Sequence, residues 1–252
     1  MPDAAFPIEL ISPSPAGIGR FKRPFYLFVA LLIAVAVAYG FSQTISQNLI
    51  SPPVARPWIL YVHAAIYFAW VVLFVAQAVL IQARNLRFHR WLGWVGFLLG
   101  CSIPVVGIGT ALAMGKFNLD HGLRSAEEAA AFLAVPINDM IGFTISFVLA
   151  IRWRRKPEHH RRLMLIASSC LTAAAFVRFP FVWNAFPMAL KWYAGVDALL
   201  LLGVCRDFVV NRRVHSVYLY GVPLLVFGQT IAMTMFLLRI PTWMVIARWL
   251  LN

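Results

Sequence analysis

Seven times along the chain, apolar residues run for about twenty positions with few polar breaks, and a short polar or basic stretch then intervenes. Read as helices, these runs predict spans at 24–43, 59–82, 91–114, 135–152, 163–185, 193–210 and 217–238. Each approaches the roughly 20 residues that an α-helix needs to cross a hydrocarbon core of about 30 Å. The connections are short except for 115–134, which is polar and holds Asp120, His121, Arg124, Glu127 and Glu128. Residues 241–252 are too few to cross; with Trp243, Arg248 and Trp249 they predict an interfacial helix. Residues 1–23 lack the basic, apolar and small-residue order of a cleaved signal and are expected to form a cytoplasmic tail.

Composition strengthens this reading. Of 252 residues, 62% are hydrophobic and only 12% charged, about half the charged share of a soluble domain. The expected fold is therefore all-α: a polytopic membrane protein with a bundle of seven transmembrane helices. Cys101, Cys170 and Cys205 each fall inside a predicted span, in no Cys-x-x-Cys spacing, and read as small hydrophobes.

The net charge of +13 raises the question of nucleic acid. Its distribution answers otherwise, because the basic residues sit in short loops between spans, where anionic lipid headgroups are the nearer partner. Orientation follows from the same residues. With the N-terminus inside, cytoplasmic segments collect 15 of the 22 lysines and arginines, as the positive-inside bias requires. The C-terminus is then outside. The first span reads as an addition to three hairpins, formed by spans two and three, four and five, and six and seven. At each hairpin junction or its approach, a basic loop leads to a histidine: His89, His159–His160 and His215.

Ionisable residues inside spans are costly and mark either function or a structural pair. On the outer side, His63 lies one turn into span two, Asn138 and Asp139 one turn into span four, and Asp197 one turn into span six. Arg178 lies about fifteen residues into span five, about 23 Å at 1.5 Å per residue, and so shares their depth. Two readings follow. One is a water-accessible pocket that binds a small ligand, a proton or a metal. The other is a buried ion pair of Arg178 with Asp139 or Asp197 that holds the bundle, while His63 bonds a carbonyl. In both, Arg178 is expected to meet a carboxylate.

On the inner side, His89, His160 and His215 compose a candidate metal set or a source of axial ligands for a haem, since neutral imidazole suits Zn, Fe and Cu. The alternative places them at headgroup level, capping helices or meeting lipid phosphate. Gly93, Gly96 and Gly100 have a spacing that lets helices approach closely. No nucleotide loop, no His-Glu-x-x-His and no nucleophile elbow occurs in the sequence.

Two stretches carry a resemblance. In the first, Gln77 ends a span and Phe88-His89-Arg90-Trp91-Leu92-Gly93 opens the next; in the second, His160-Arg161-Arg162-Leu163-Met164 precedes Ala173-Ala174-Ala175-Phe176-Val177-Arg178. With their His-Arg-x-x-Gly and His-Arg-x-x-Met helix starts, spans two to five resemble a family of bacterial predicted membrane proteins with a domain of unknown function. Asn85 and Phe88 depart from that family's loop. The resemblance implies a bacterial cytoplasmic membrane and gives weight to Arg178 and to a polar residue near His63; it implies no activity. The functional expectation is a small-ligand binder, sensor or transporter component with a pocket made by His63, Asn138, Asp139, Arg178 and Asp197. The alternatives are a membrane oxidoreductase holding haem or a metal through His89, His160 and His215, and a structural or assembly partner.

Overall fold

The computed structural model describes residues 24–185 and 187–251, and every regular element among them is helical. The expected tail at 1–23 lies outside these residues. In chain order the elements are α1 (Pro24–Ser42), a π-helical turn (Ser46–Ile50), α2 (Trp58–Gln82), α3 (Leu86–Asp120), α4 (Ala126–Phe132) and α5 (Ala134–Arg152). There follow α6 (Pro157–Cys170), α7 (Ala173–Phe176), α8 (Pro180–Ala185), α9 (Met188–Lys191), α10 (Ala194–Asn211), α11 (Ser216–Leu238) and α12 (Pro241–Leu251).

Among the described residues five helical runs are long and apolar enough to cross a membrane: α1, α2, α3, the joined α4–α5 run Ala126–Arg152, and α11. This is the build of a multi-pass integral membrane protein. The outward faces agree, because Tyr61, Phe68, Val72 and Val79 of α2 and Leu219, Leu224 and Phe227 of α11 are exposed. In water such faces would be an aggregation hazard; in lipid they are the solvent-matched surface.

Three elements differ from the sequence expectation. The run at 163–185 is not one helix. α6 stops at Cys170 because Leu171 and Thr172 donate their N–H groups to the carbonyls of Ser168 and Ser169, three residues back, and the Thr172 hydroxyl also takes Ser169 O at 2.6 Å. A threonine that bonds the local backbone competes with helix continuation. Pro180, which lacks an N–H and restricts Phe179, keeps the break open. At 14 residues α6 is about 21 Å long. The run at 193–210 is present as α10, but it carries Asp197, Arg206 and Asp207 and is not among the five apolar crossings.

The third difference is the polar connection at 115–134, which is mostly helical. α3 continues to Asp120, Gly122 turns the chain at φ +63°, and Ser125 begins α4 with a capping box. The Ser125 hydroxyl accepts the Glu128 N–H at 3.2 Å, and the Glu128 carboxylate accepts the Ser125 N–H in return. The capping box was legible in Ser125-x-x-Glu128, a spacing that fixes helix starts.

The centre of the bundle is α6, which packs against α1, α5, α10 and α11. From Arg162 to Cys170 all of its residues but Met164 are buried. Phe143 and Phe147 of α5 meet Trp70 of α2 edge-on, at 5.3 and 5.8 Å between ring centres, and the Trp70 Nε1 donates to Ser168 Oγ at 3.3 Å. Gly40 of α1 lies so close to the break after α6 that a Cβ there would stand 2.3 Å from the Ala175 carbonyl oxygen. α12 lays Trp243, Met244, Ala247 and Leu251 against Ala129–Ala131 of α4 and Leu112 and Ala111 of α3.

One end of the bundle bears the basic loops, and there Arg162 and Asp207 form a fully buried pair. The guanidinium meets the carboxylate with two bonds, Nε to Oδ2 at 2.7 Å and Nη2 to Oδ1 at 2.6 Å. Arg162 Nη1 also donates to the Glu158 side chain at 2.7 Å, and Arg206 Nη1 donates to Asp207 Oδ1 at 2.9 Å. The pair binds α6 to α10 at their common end.

Candidate functional site

At the opposite end of the bundle, α2, α3, α4, α5 and the segment after α6 border a half-open cavity of about 260 Å3. Its polar wall holds His63 of α2, Thr110 and Asn118 of α3, Arg124, Asp139 of α5 and Arg178. A Cβ at Gly107 would come within 2.4 Å of the Tyr67 hydroxyl and 2.5 Å of the Met140 sulfur, so glycine lets both residues reach between α2 and α3. Tyr67 Oη then donates to the Ile103 carbonyl at 3.3 Å, beside Pro104, whose missing N–H loosens that turn of α3.

Three of the wall residues are held by neighbours outside the cavity. The His63 ring stacks on Tyr67, with 3.9 Å between ring centres. Asp139 Oδ1 accepts the Tyr193 hydroxyl at 3.0 Å, and Asn138 Nδ2 donates to the same hydroxyl oxygen at 3.3 Å. Arg178 donates from Nε to Thr44 Oγ1 at 2.9 Å and from Nη1 to the Ala174 carbonyl, with Phe41 4.5 Å beneath its guanidinium carbon. His63 Nδ1 and Thr110 Oγ1 are buried without a hydrogen bond.

Of the five residues expected to share a site, His63, Asp139 and Arg178 line one cavity, whereas Asn138 and Asp197 do not. Asn138 supports Tyr193 from behind, and Asp197 faces Gln229 of α11. The expected ion pair between Arg178 and Asp139 or Asp197 is not formed among the described residues; Arg178 is held by Thr44 and Ala174 instead. The expectation took 163–185 as one straight helix. The break after Cys170 turns the chain against α1, which brings Arg178 to the π-helical end of that element. Thr110, Asn118 and Arg124 were not anticipated. Thr110 is a single hydroxyl in an apolar run, and Arg124 belongs to a segment taken as an outside loop.

The histidines at the basic end are engaged one by one. His160 Nδ1 bonds the Ala150 carbonyl at 2.9 Å, which makes that nitrogen the donor and ties the start of α6 to the end of α5. His215 is the N-cap of α11, its Nδ1 accepting the Val217 N–H at 3.2 Å. Burial, with the nearby Arg162 and His159 charges, lowers its pKa and favours the neutral ring that this cap requires. The backbone carbonyl of His89 accepts Gln77 Nε2 at 3.2 Å, so Gln77 and the His-Arg-x-x-Gly start meet across α2 and α3. Among the described residues no three or more of His, Cys, Asp and Glu are grouped to hold a metal ion. The set His89, His160 and His215 therefore does not form a metal site here, and the His160 and His215 rings are each engaged by backbone at their own helix junction.

The cavity offers donors from two arginines, a threonine and an asparagine, one carboxylate acceptor, and an imidazole able to do either. Its volume falls just below the roughly 300–1,000 Å3 of drug-sized sites, which suits a small molecule. Comparison of the chain with protein-family models, with curated proteins and with solved structures gives no match.

Proposed function

We propose that this chain is a seven-span membrane protein, N-terminus in the cytoplasm, that binds a small polar ligand in its outer half. The two crossings beyond the five apolar helices are the broken α6–α8 segment and α10. Broken or charged helices are tolerated at membrane depth where protein, not lipid, surrounds them, and both segments lie against other helices. The orientation rests on the basic loops, which gather at the end carrying His89, His160 and His215.

One observation carries the ligand reading. His63, Asp139 and Arg178 come from three separate elements to one cavity, and none is neutralised by another. A set kept only for stability would close on itself as an ion pair, since an unpaired charge within hydrocarbon costs several kcal/mol. Here the imidazole, the carboxyl and the guanidinium keep hydrogen-bonding capacity for a guest that is polar and small.

The test is chemical access. Thr110→Cys, in a chain whose Cys101, Cys170 and Cys205 are replaced by alanine, is expected to react with a small membrane-impermeant thiol reagent added outside. In the same protein a panel of small organic acids, sugars and amines is screened for thermal stabilisation, with Arg178→Gln as the control that loses it. Reaction from the cytoplasmic side alone, or no reaction in a folded protein, would remove the reading.

A further inference from the structure

The arginine cluster at the basic end holds donors that its own carboxylates do not satisfy. The side chain of Arg206 is 5% exposed, and its Nη1 donates to Asp207 Oδ1. Its Nε and Nη2 are buried with no hydrogen-bond partner among the described residues. Arg161 Nε and the Tyr26 hydroxyl are in the same state. These groups surround one ring: the guanidinium carbon of Arg161 lies 5.1 Å from the centre of Tyr26, and that of Arg206 lies 5.6 Å from it. The Tyr218 hydroxyl is likewise buried without a hydrogen-bond partner among the described residues, and the Arg162 guanidinium carbon lies 5.9 Å from its ring centre.

Charge points the same way. Three guanidinium groups, on Arg161, Arg162 and Arg206, share two carboxylates, Glu158 and Asp207, leaving one positive charge in excess. Both oxygens of Asp207 are already engaged by Arg162, and Oδ1 is shared with Arg206 and with Asn211 Nδ2. Stacking on Tyr26 and Phe25 attracts the Arg206 cation but gives its N–H groups no acceptor. Buried donors left without acceptors are unfavourable, and charged ones more so.

The geometry points to a phosphate-class anion bound between α1, α6 and α10 by Arg206, Arg161 and the Tyr26 hydroxyl. A phosphate group carries the missing negative charge and presents several oxygens to the four unpaired donor atoms, where a carboxylate presents two. Planar guanidinium forks suit it. A water molecule would supply an acceptor but not the charge. The phosphate can belong to an anionic lipid headgroup reaching this end of the bundle, whose diester presents two unesterified oxygens and one negative charge, or to a free anion, which presents more of both.

Thermal unfolding of the full chain separates the sources. In neutral detergent at constant ionic strength, sodium phosphate replaces sodium chloride; in a parallel series the protein sits in phosphatidylcholine bilayers with and without phosphatidylglycerol. At ten times the dissociation constant a bound anion raises the midpoint by about 3–6 °C. A rise with inorganic phosphate that Arg206→Gln abolishes identifies a free anion. A rise with phosphatidylglycerol alone, likewise abolished, identifies a headgroup. Should Arg206→Gln fail to fold, Tyr26→Phe replaces it, because it keeps the ring and removes only the hydroxyl; at least a threefold loss of apparent affinity is expected. The exposed Arg213→Gln is expected to keep the full response. No rise in either series, a rise that survives both Arg206→Gln and Tyr26→Phe, or an equal loss in Arg213→Gln would overturn the site.

Discussion

Arg162 has no exposed surface, and its planar group is matched edge to edge by Asp207 from another helix. Such a pair is a modest net contributor when intact and a severe liability when halved, because the remaining charge stays buried. Asp207→Ala is expected to lower stability by about 3–5 kcal/mol, and Arg162→Met with Asp207→Leu together should recover only part of that loss, because the buried Arg206 then loses the one carboxylate it bonds. Denaturation in mixed micelles measures both. The Glu158 carboxyl adds a pH dependence. Burial works to raise its pKa, but the Arg162 hydrogen bond and the charges of Arg161, Arg162 and Arg206 outweigh it and hold the group below the usual carboxylate range. A depressed folded pKa contributes stability that is complete above the ordinary value of about 4.3 and is lost as pH falls through the folded one. The unfolding midpoint should therefore decline on acidification below that value, and Glu158→Gln should flatten the decline; an unchanged slope in the variant would show that Glu158 is not its source.

At the scale of elements, the length of apolar runs was enough to place α1, α2, α5, α10 and α11 to within a few residues. It could not see the break between α6 and α7. The break comes from Thr172 turning its hydroxyl onto Ser169 O and from Pro180 further on, and each of these residues is ordinary in a membrane helix. It also could not pair Arg162 with Asp207: both lie in segments whose arginines read as loop charge, and the partners are 45 residues apart. The candidate cavity was half legible for the same reason. Depth along a helix located His63 and Asp139, but which face each presents depends on packing across α2, α3 and α5. The close approach of α1 to the broken segment gives a direct test. Gly40→Ala would place a methyl carbon 2.3 Å from the Ala175 carbonyl oxygen, a backbone atom that cannot rotate away. We expect a loss of about 1–3 kcal/mol, exceeding the gain of roughly 1 kcal/mol in helix propensity; equal or higher stability would mean that α1 stands further from the break. Three helix ends are closed by arginines at positive φ, Arg84 at 58°, Arg212 at 55° and Arg239 at 49°. Glycine is the easier residue there, and under the proposed orientation Arg84 and Arg212 put positive charge in inside loops at the expense of backbone comfort.

For the molecule as a whole, the proposed seven crossings and inside N-terminus predict which joints face which compartment. A reporter active only outside the cytoplasm should be active when fused after Gly122 and inactive after Lys156. The reverse result would invert the orientation and place the cavity of His63, Asp139 and Arg178 toward the cytoplasm. The Arg162–Asp207 pair has a further consequence, in time and not in space. During synthesis Arg162 emerges first and must wait for Asp207, 45 residues later. At about 5–20 residues per second that interval is roughly 2–9 seconds. For those seconds the nascent chain holds a guanidinium with only Glu158 to meet it, in a helix too short to cross unaided. α6 is therefore expected to take its final seat only once α10 arrives, sheltered until then by α5 or the insertion machinery. A chain ended after Leu200 should remain in that unfinished state and be cleared faster by membrane proteases in pulse-chase than one ended after Asn211.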